Sequence, residues 1–379
     1  RQMCIRDSSW RFDEANKKLL VNVSSTFELD PSTVGTSTVA ASTNNNPQRK
    51  CFYANGRFWA FYSDGTNVGF RSSTDGINWS GFTSVGSGNA GRRIAVHFDG
   101  TYVHYCREAT DLFYRRGTPN SDGTITWSAT EQTAVDVGTG QACENPSIVV
   151  DSDGYAFIAY RWNDGTNYYP YVTKNANNNG TWSTASGYPI QLSTTSDSTW
   201  QQLIIALTAN KVYAIYCRNL LQALGKLYTG SWGNEETVSS SAVQAIGINA
   251  VNEGDHVHFV FLKSTTNDII YIKRTYGSGW GSEVTVQSSA TGTSNPCLSI
   301  TQTNVLYCFW AGSPTANHIY YKKCAGGTWD ANPTDWIDES TDGITNYGRL
   351  SCYYKEHGGK IGLIYSTKTA SPYNVRHDY

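Results

Sequence analysis

One short pattern recurs seven times along this chain and fixes what it can fold into. A turn residue, usually Gly or Asn, leads into an apolar and aromatic run of strand length. Asn55-Gly56-Arg57-Phe58-Trp59-Ala60-Phe61-Tyr62 is the clearest copy, and Asp153-Gly154-Tyr155-Ala156-Phe157-Ile158-Ala159-Tyr160 is another. The turn residues Gly56, Gly100, Gly154, Asn210, Gly254, Asn304 and Gly359 stand 44 to 56 residues apart. A repeat of about fifty residues that fills the chain, built from short strands and turns, is the signature of a β-propeller. The spacing predicts an all-β fold with seven four-stranded blades.

Composition agrees. Charged residues make up only 16% and aromatic residues 13%, with 35 Gly and 25 Tyr, a mix that packs on pleated strands and disfavours helices. The 379 residues would suggest two or three domains, but one closed repeat array absorbs them. A net charge of −2 gives no reason to expect nucleic acid or an anionic membrane as partner. No apolar run approaches the ~20 residues of a membrane span. The nine cysteines form no Cys-x-x-Cys or Cys/His cluster, so no metal is expected. Cys51, Cys297, Cys308 and Cys352 fall in expected strands, where a thiol acts as a small apolar group. Cys106 and Cys143 lie near neighbouring loops, and a disulfide between them stays open.

The termini divide as follows. Residues 1–8 (RQMCIRDS) carry no pattern and read as an adapter-derived, non-native stretch, which would leave the true start and any signal peptide out of sight. Residues 9–46 read as a closing strand and a linker, and 47–379 as the propeller. The last repeat has room for three strands only. The apolar segment Lys18-Leu19-Leu20-Val21-Asn22-Val23 is therefore expected to supply the fourth and close the ring, because a closed ring leaves no open sheet edge.

A second element recurs after each apolar strand. Its best copy is Ser73-Thr74-Asp75-Gly76-Ile77-Asn78-Trp79, echoed by Ser121-Asp122-Gly123-Thr124-Ile125-Thr126-Trp127. Here Asp accepts backbone N–H bonds across the turn, Gly takes the positive φ, and Trp packs beneath. These turns resemble the Asp-box, or bacterial-neuraminidase repeat, of the sialidase-like propellers. The resemblance implies that Asp75 and Asp122 serve folding, on the face opposite the site.

One face of a propeller is built from the loops that lead into the innermost strands and the loops that follow the second strands. Read in register, those positions hold Arg49, Arg93, Arg107, Arg161, Arg218 and Arg349, together with Asn145. A guanidinium grips a carboxylate or sulfate with a planar two-pronged fork. Trp162, Trp200, Trp310 and Tyr347 stand among them as surfaces for sugar rings. The expected ligand is an acidic saccharide. The bland alternative is that the arginines pair with Glu108, Glu144, Asp64 and Asp164 and tie loops together. His104 reads as a core residue. His318 opens the third strand of its blade near the same face and is the one histidine that fits an acid or base, while Tyr347 and Tyr168 are the best-placed tyrosines.

The closing words extend the resemblance. Gly348-Arg349-Leu350-Ser351 leading into Lys360-Ile361-Gly362-Leu363-Ile364-Tyr365 is similar to the last blade of sialidases, which implies carboxylate binding for Arg349 and comparable places for Arg93 and Arg218. The sialidase Arg-Ile-Pro word is replaced by Arg93-Ile94-Ala95, and seven blades stand where sialidases have six. The chain looks more like the propeller polysaccharide lyases that act on uronate polymers, such as ulvan lyases. In those, Arg neutralises the uronate carboxylate and a Tyr or His moves the proton. Three readings follow. The first is a carbohydrate-active enzyme, a lyase ahead of an exo-glycosidase, with catalytic candidates Tyr347, His318, Glu108 and Glu144. A retaining hydrolase would need two carboxylates ~5 Å apart, for which Glu108 and Glu144 are the one plausible pair. The second is a non-catalytic glycan-binding propeller, such as an adhesin or phage receptor-binding module, and the third a protein-binding scaffold. The expected partner is an acidic polysaccharide or glycan, with no cofactor, no metal and no nucleic acid. The chain is expected to act outside the cell as a monomer.

Overall fold

The computed structural model describes residues 31–379 except 46, 88–92, 197–200 and 219–221, together with the backbone of Ser8–Asp13 and Lys18–Val23. Seven small antiparallel sheets form a ring of blades, and the strands of the first six run outward in chain order. The first blade is Cys51–Ala54, Arg57–Ser63, Asn67–Ser73 and Thr83–Ser87. The innermost strands of blades two to seven are Ile94–Phe98, Ala142–Val150, Gln201–Ala206, Val243–Glu253, Cys297–Ile300 and Ser351–Cys352. In blades two, five and six the outermost position is shared by two short strands that both pair with the third. The seven-bladed β-propeller expected from the repeat spacing is the fold.

Each blade is apolar on both faces because it is packed on both sides. Every one of the seven buried clusters is built from two neighbouring blades, as where Phe61 and Phe70 meet Val96 and Tyr105. This is why the recurring second strand is buried almost throughout, with no alternation to solvent, as in Val103–Glu108. A single repeat could not bury such a sheet alone.

Ring closure comes from a strand other than the expected one. Ser32–Ser37 pairs antiparallel with Tyr373–Asp378 and completes the seventh blade. Lys18–Val23 instead pairs with Ser8–Asp13, so Ser8 begins a strand. The closing strand lies in the stretch read as a linker for its polar composition. An outermost strand needs few buried side chains, and here Val34 (1% exposed) supplies the apolar one. Its β-branched neighbours Thr33 and Thr36 suit an extended chain. Trp79, in the first blade, fixes it from the other side by donating its indole N–H to Ser32 Oγ at 3.0 Å.

The tight turn at Asp75 has the geometry its sequence demands. Asp75 Oδ1 accepts the N–H groups of Ile77 (2.9 Å) and Asn78 (2.7 Å), and Gly76 adopts φ 70°. Asp122 accepts the N–H of Thr124 in the same way. Eight cysteines are described, all buried free thiols, so Cys106 and Cys143 form no disulfide. His104 is a core residue, held between Tyr114 and Asp99 at 3.0 Å each.

Candidate functional site

The loops that lead into the innermost strands and those that follow the second strands do share one end of the ring. Arg49 turns inward from there and spans the central channel. Its guanidinium donates to Asn249 Oδ1 (2.5 Å) and the Ala250 carbonyl (2.8 Å) of blade five, and to Cys352 Sγ (3.0 Å) of blade seven. It is 8% exposed, so it binds the ring to itself rather than facing solvent.

Blades two and three carry a shared ion network. Arg161 Nη2 donates to Glu144 Oε2, and Asn163 reaches the other oxygen at 3.4 Å. Arg93 Nη1 lies 3.4 Å from Glu108 and 3.9 Å from Glu144, between the two carboxylates. Glu108 is 2% exposed and also accepts the Asn145 backbone N–H at 2.5 Å. Asn145 holds a left-handed backbone (φ 54°) and accepts from Asn45 through its side-chain oxygen. Arg161 also lies over the Tyr168 ring, 4.3 Å from its centroid. Arg93, Arg161, Glu108, Glu144 and Asn145 are thus brought together, but as mutual partners.

The remaining residues are dispersed. Arg107 points within its own blade, where it makes a two-pronged pair with Glu131 (2.8 and 2.5 Å) and covers Phe113. Its neighbour Glu108 takes the channel side, since successive strand residues face opposite ways. Arg218 pairs with Glu235 at 3.2 Å on the rim of blade four. Trp162 is half-buried against Tyr169 and Tyr171, a packing residue and not an open stacking surface. Trp200 lies outside the described residues, and Trp310 is fully buried. His318 stands between Asp335 (2.8 Å) and Asp338 (3.3 Å). Tyr347 packs against Gly312 and its hydroxyl accepts the Asn317 N–H at 3.1 Å, which places it beside His318 in the chain of contacts.

Arg349 differs from the other five arginines. It ends a single 3₁₀ turn, Tyr347–Arg349, capped by Asn346, whose side chain accepts the Gly348 N–H at 2.8 Å. Among the described residues its guanidinium has no carboxylate partner and no hydrogen bond, whereas each of the other five has at least one acceptor. Burial pushes its pKa down from the ordinary arginine value.

Comparison with known proteins places this architecture. An ulvan lyase of a polysaccharide lyase family, bound to a -[GlcA(1-4)Rha3S]- oligosaccharide, superposes with a TM-score of 0.57 at 9% identity, over 90% of this chain and 95% of that one. The Trypanosoma rangeli sialidase in complex with the inhibitor DANA gives 0.50 at 9% identity, over 98% of this chain and 59% of that one. The Aleuria aurantia lectin in complex with α-methyl-L-fucoside gives 0.52 at 13% identity, over 81% of this chain and 98% of that one. The fold shared with all three is the β-propeller. Of these three, the lyase superposes best. No family model matches the chain, and no curated protein matches it.

In this propeller the partners of the arginines were the part that sequence could not supply. Glu131 and Glu235 lie just before outer strands, 24 and 17 residues from the arginines they hold. No local pattern marks them. Asp64 and Asp164, weighed as arginine partners, instead cap their own loops through the N–H groups of Thr66 and Thr166. Among the described residues no group of three or more His, Cys, Asp or Glu is placed to hold a metal, and no helix is long and apolar enough to cross a membrane.

Proposed function

We propose that this chain is a glycan-binding propeller that takes the acidic group of a saccharide at Arg349. The observation that carries this reading is the half-buried Arg349 guanidinium, which alone of the six arginines finds no protein acceptor among the described residues. A carboxylate or sulfate supplies that acceptor through a charge-assisted bond. Superposition on carbohydrate-cleaving and carbohydrate-binding propellers supports a glycan as the ligand class.

Binding is favoured over hydrolysis by the partners of the carboxylates. A retaining hydrolase needs one of its pair protonated to act as acid. Glu108 and Glu144 both pair with Arg93, and Glu144 also with Arg161, so each carboxylate is engaged by an arginine rather than left open towards a glycosidic oxygen. His318 and Tyr347 are likewise committed to Asp335 and Asn317. Cleavage by β-elimination stays as a second reading, because it needs an arginine beside a phenol, and Arg161 lies over Tyr168.

The test is a panel of sialosides, uronate polysaccharides and their neutral, carboxyl-reduced counterparts. Acidic members should bind and reduced ones should not, and Arg349→Ala should weaken binding by about tenfold or more. Undiminished binding by Arg349→Ala, or no binding to any acidic glycan, overturns the proposal. Ultraviolet absorbance from an unsaturated uronate would establish the lyase reading instead.

A further inference from the structure

The opposite end of the ring carries a cleft that the arginine face does not explain. It has a volume of about 430 Å³ and is formed by turns of three successive blades, three to five. Tyr155 comes from the first turn of blade three, Asn210 from that of blade four, and Tyr228 and Tyr276 from the outer turns of blades four and five. That volume lies within the range of about 300–1,000 Å³ typical of small-molecule sites.

Its lining has the chemistry of a sugar site. Tyr276 is 45% exposed, one of two large apolar side chains described as exposed. The Lys211 ammonium lies 5.2 Å from the centroid of its ring on one side, which leaves the other side of this half-exposed ring for the C–H face of a pyranose. The hydroxyls of Tyr155 and Tyr276 make no hydrogen bond with any described residue, so both can meet sugar hydroxyls. Lys174 stands at the back, its ammonium 4.8 Å from the Phe157 ring centroid and 5.3 Å from those of Tyr155 and Tyr228. It donates one long bond, 3.4 Å, to Tyr228 and forms no ion pair with a carboxylate among the described residues, which leaves donor capacity for a ligand. Asp153 and Asn210 hold each other across the blade boundary and present further polar atoms.

Charge decides between a neutral and an anionic ligand. The other lysine of the cleft, Lys211, is neutralised by Asp255 at 2.9 Å, and Asp151 and Asp153 both line the wall. An anion would meet two carboxylates against one unpaired ammonium. We propose that this cleft binds a neutral hexopyranose, stacked on Tyr276 and hydrogen-bonded by Lys174, Asp153 and Asn210, as a second glycan site on the face opposite Arg349.

Saturation-transfer NMR on the whole chain with methyl pyranosides of neutral hexoses tests this, with titration calorimetry of any positive. At least one pyranoside should show transfer to its ring protons. Tyr276→Ala, at an exposed position, should weaken it about tenfold, and Lys174→Met should weaken it as well, while Arg349→Ala leaves it unchanged. Absence of transfer from every pyranoside, or equal binding by wild type and Tyr276→Ala, overturns the proposal. Loss through Arg349→Ala alone would assign the sugar to the arginine face. Because the two sites are probed by different variants and ligands, the failure of one reading leaves the other standing.

Discussion

Replacing Arg161 by Ala separates an arginine that ties the blades together from one that grips a ligand. The side chains of Arg161 and Glu144 are 14% and 20% exposed, so their pairing is only partly screened. A hydrogen bond to a charged group contributes about 1.5–3 kcal/mol. The Tyr168 ring beneath the guanidinium adds about 0.5–1 kcal/mol. Glu144 would keep Asn163 at 3.4 Å and Arg93 at 3.9 Å, which offsets part of the loss. The net expectation is a destabilisation of ~2–3 kcal/mol. With an unfolding entropy of about 2.1 cal/mol/K per residue, a ring of this size should lose ~3–4 °C in Tm. Differential scanning calorimetry or urea unfolding of Arg161→Ala, Glu144→Gln and the double variant gives the coupling energy directly, expected near ~2 kcal/mol. A coupling below ~0.5 kcal/mol, with unchanged melting and lost acidic-glycan binding, would refute the structural assignment of Arg161.

Three other outcomes follow from the structure. Arg349→Ala should melt within ~1 °C of wild type, since it removes no hydrogen-bonded pair, and a larger drop would show an unrecognised structural role. Val34→Asp buries a charge in the closing strand and should cost about 3 kcal/mol or more, with limited proteolysis detecting an opened seventh blade; wild-type resistance would mean that the strand does not close the ring. Acid should destabilise the fold before its carboxylates titrate. Burial pushes His377 down to about 3 and His357 to about 4, so both fold neutral. Below about pH 6.5 the unfolded chain takes up protons that the folded chain refuses. Stability is therefore complete above that pH and falls towards pH 4, by up to ~1.4 kcal/mol per pH unit for each such histidine. A urea midpoint that stays level between pH 7 and 4.5 would contradict this.

The blades were legible because their information is local. A Gly or Asn turn followed by Phe58-Trp59-Ala60-Phe61-Tyr62 or Phe259-Val260-Phe261 can satisfy both turn geometry and two-sided burial in one way only, and the repeat spacing then counts the blades. The Asp75 turn was legible for the same reason, since its acceptor, its glycine and its tryptophan lie within five residues. The closing strand was not. Ser32–Ser37 has one buried apolar side chain, and its partner strand is more than three hundred residues away. Lys18–Val23 has the stronger apolar pattern, but hydrophobic pattern cannot choose between two candidate strands for one edge.

The sequence by itself determined an all-β ring of seven blades, the positions that reach one end of it, and the core role of His104. Tertiary structure alone decided what the arginines do there. Arg49 finds its acceptors in blades five and seven, Arg107 in Glu131 and Arg161 in Glu144, while Arg349 finds none among the described residues. Strand period and turn chemistry act over a few residues and are written in the chain. Ion pairing depends on which loops the closed ring brings within a few ångströms, and that is set only once the blades are in place.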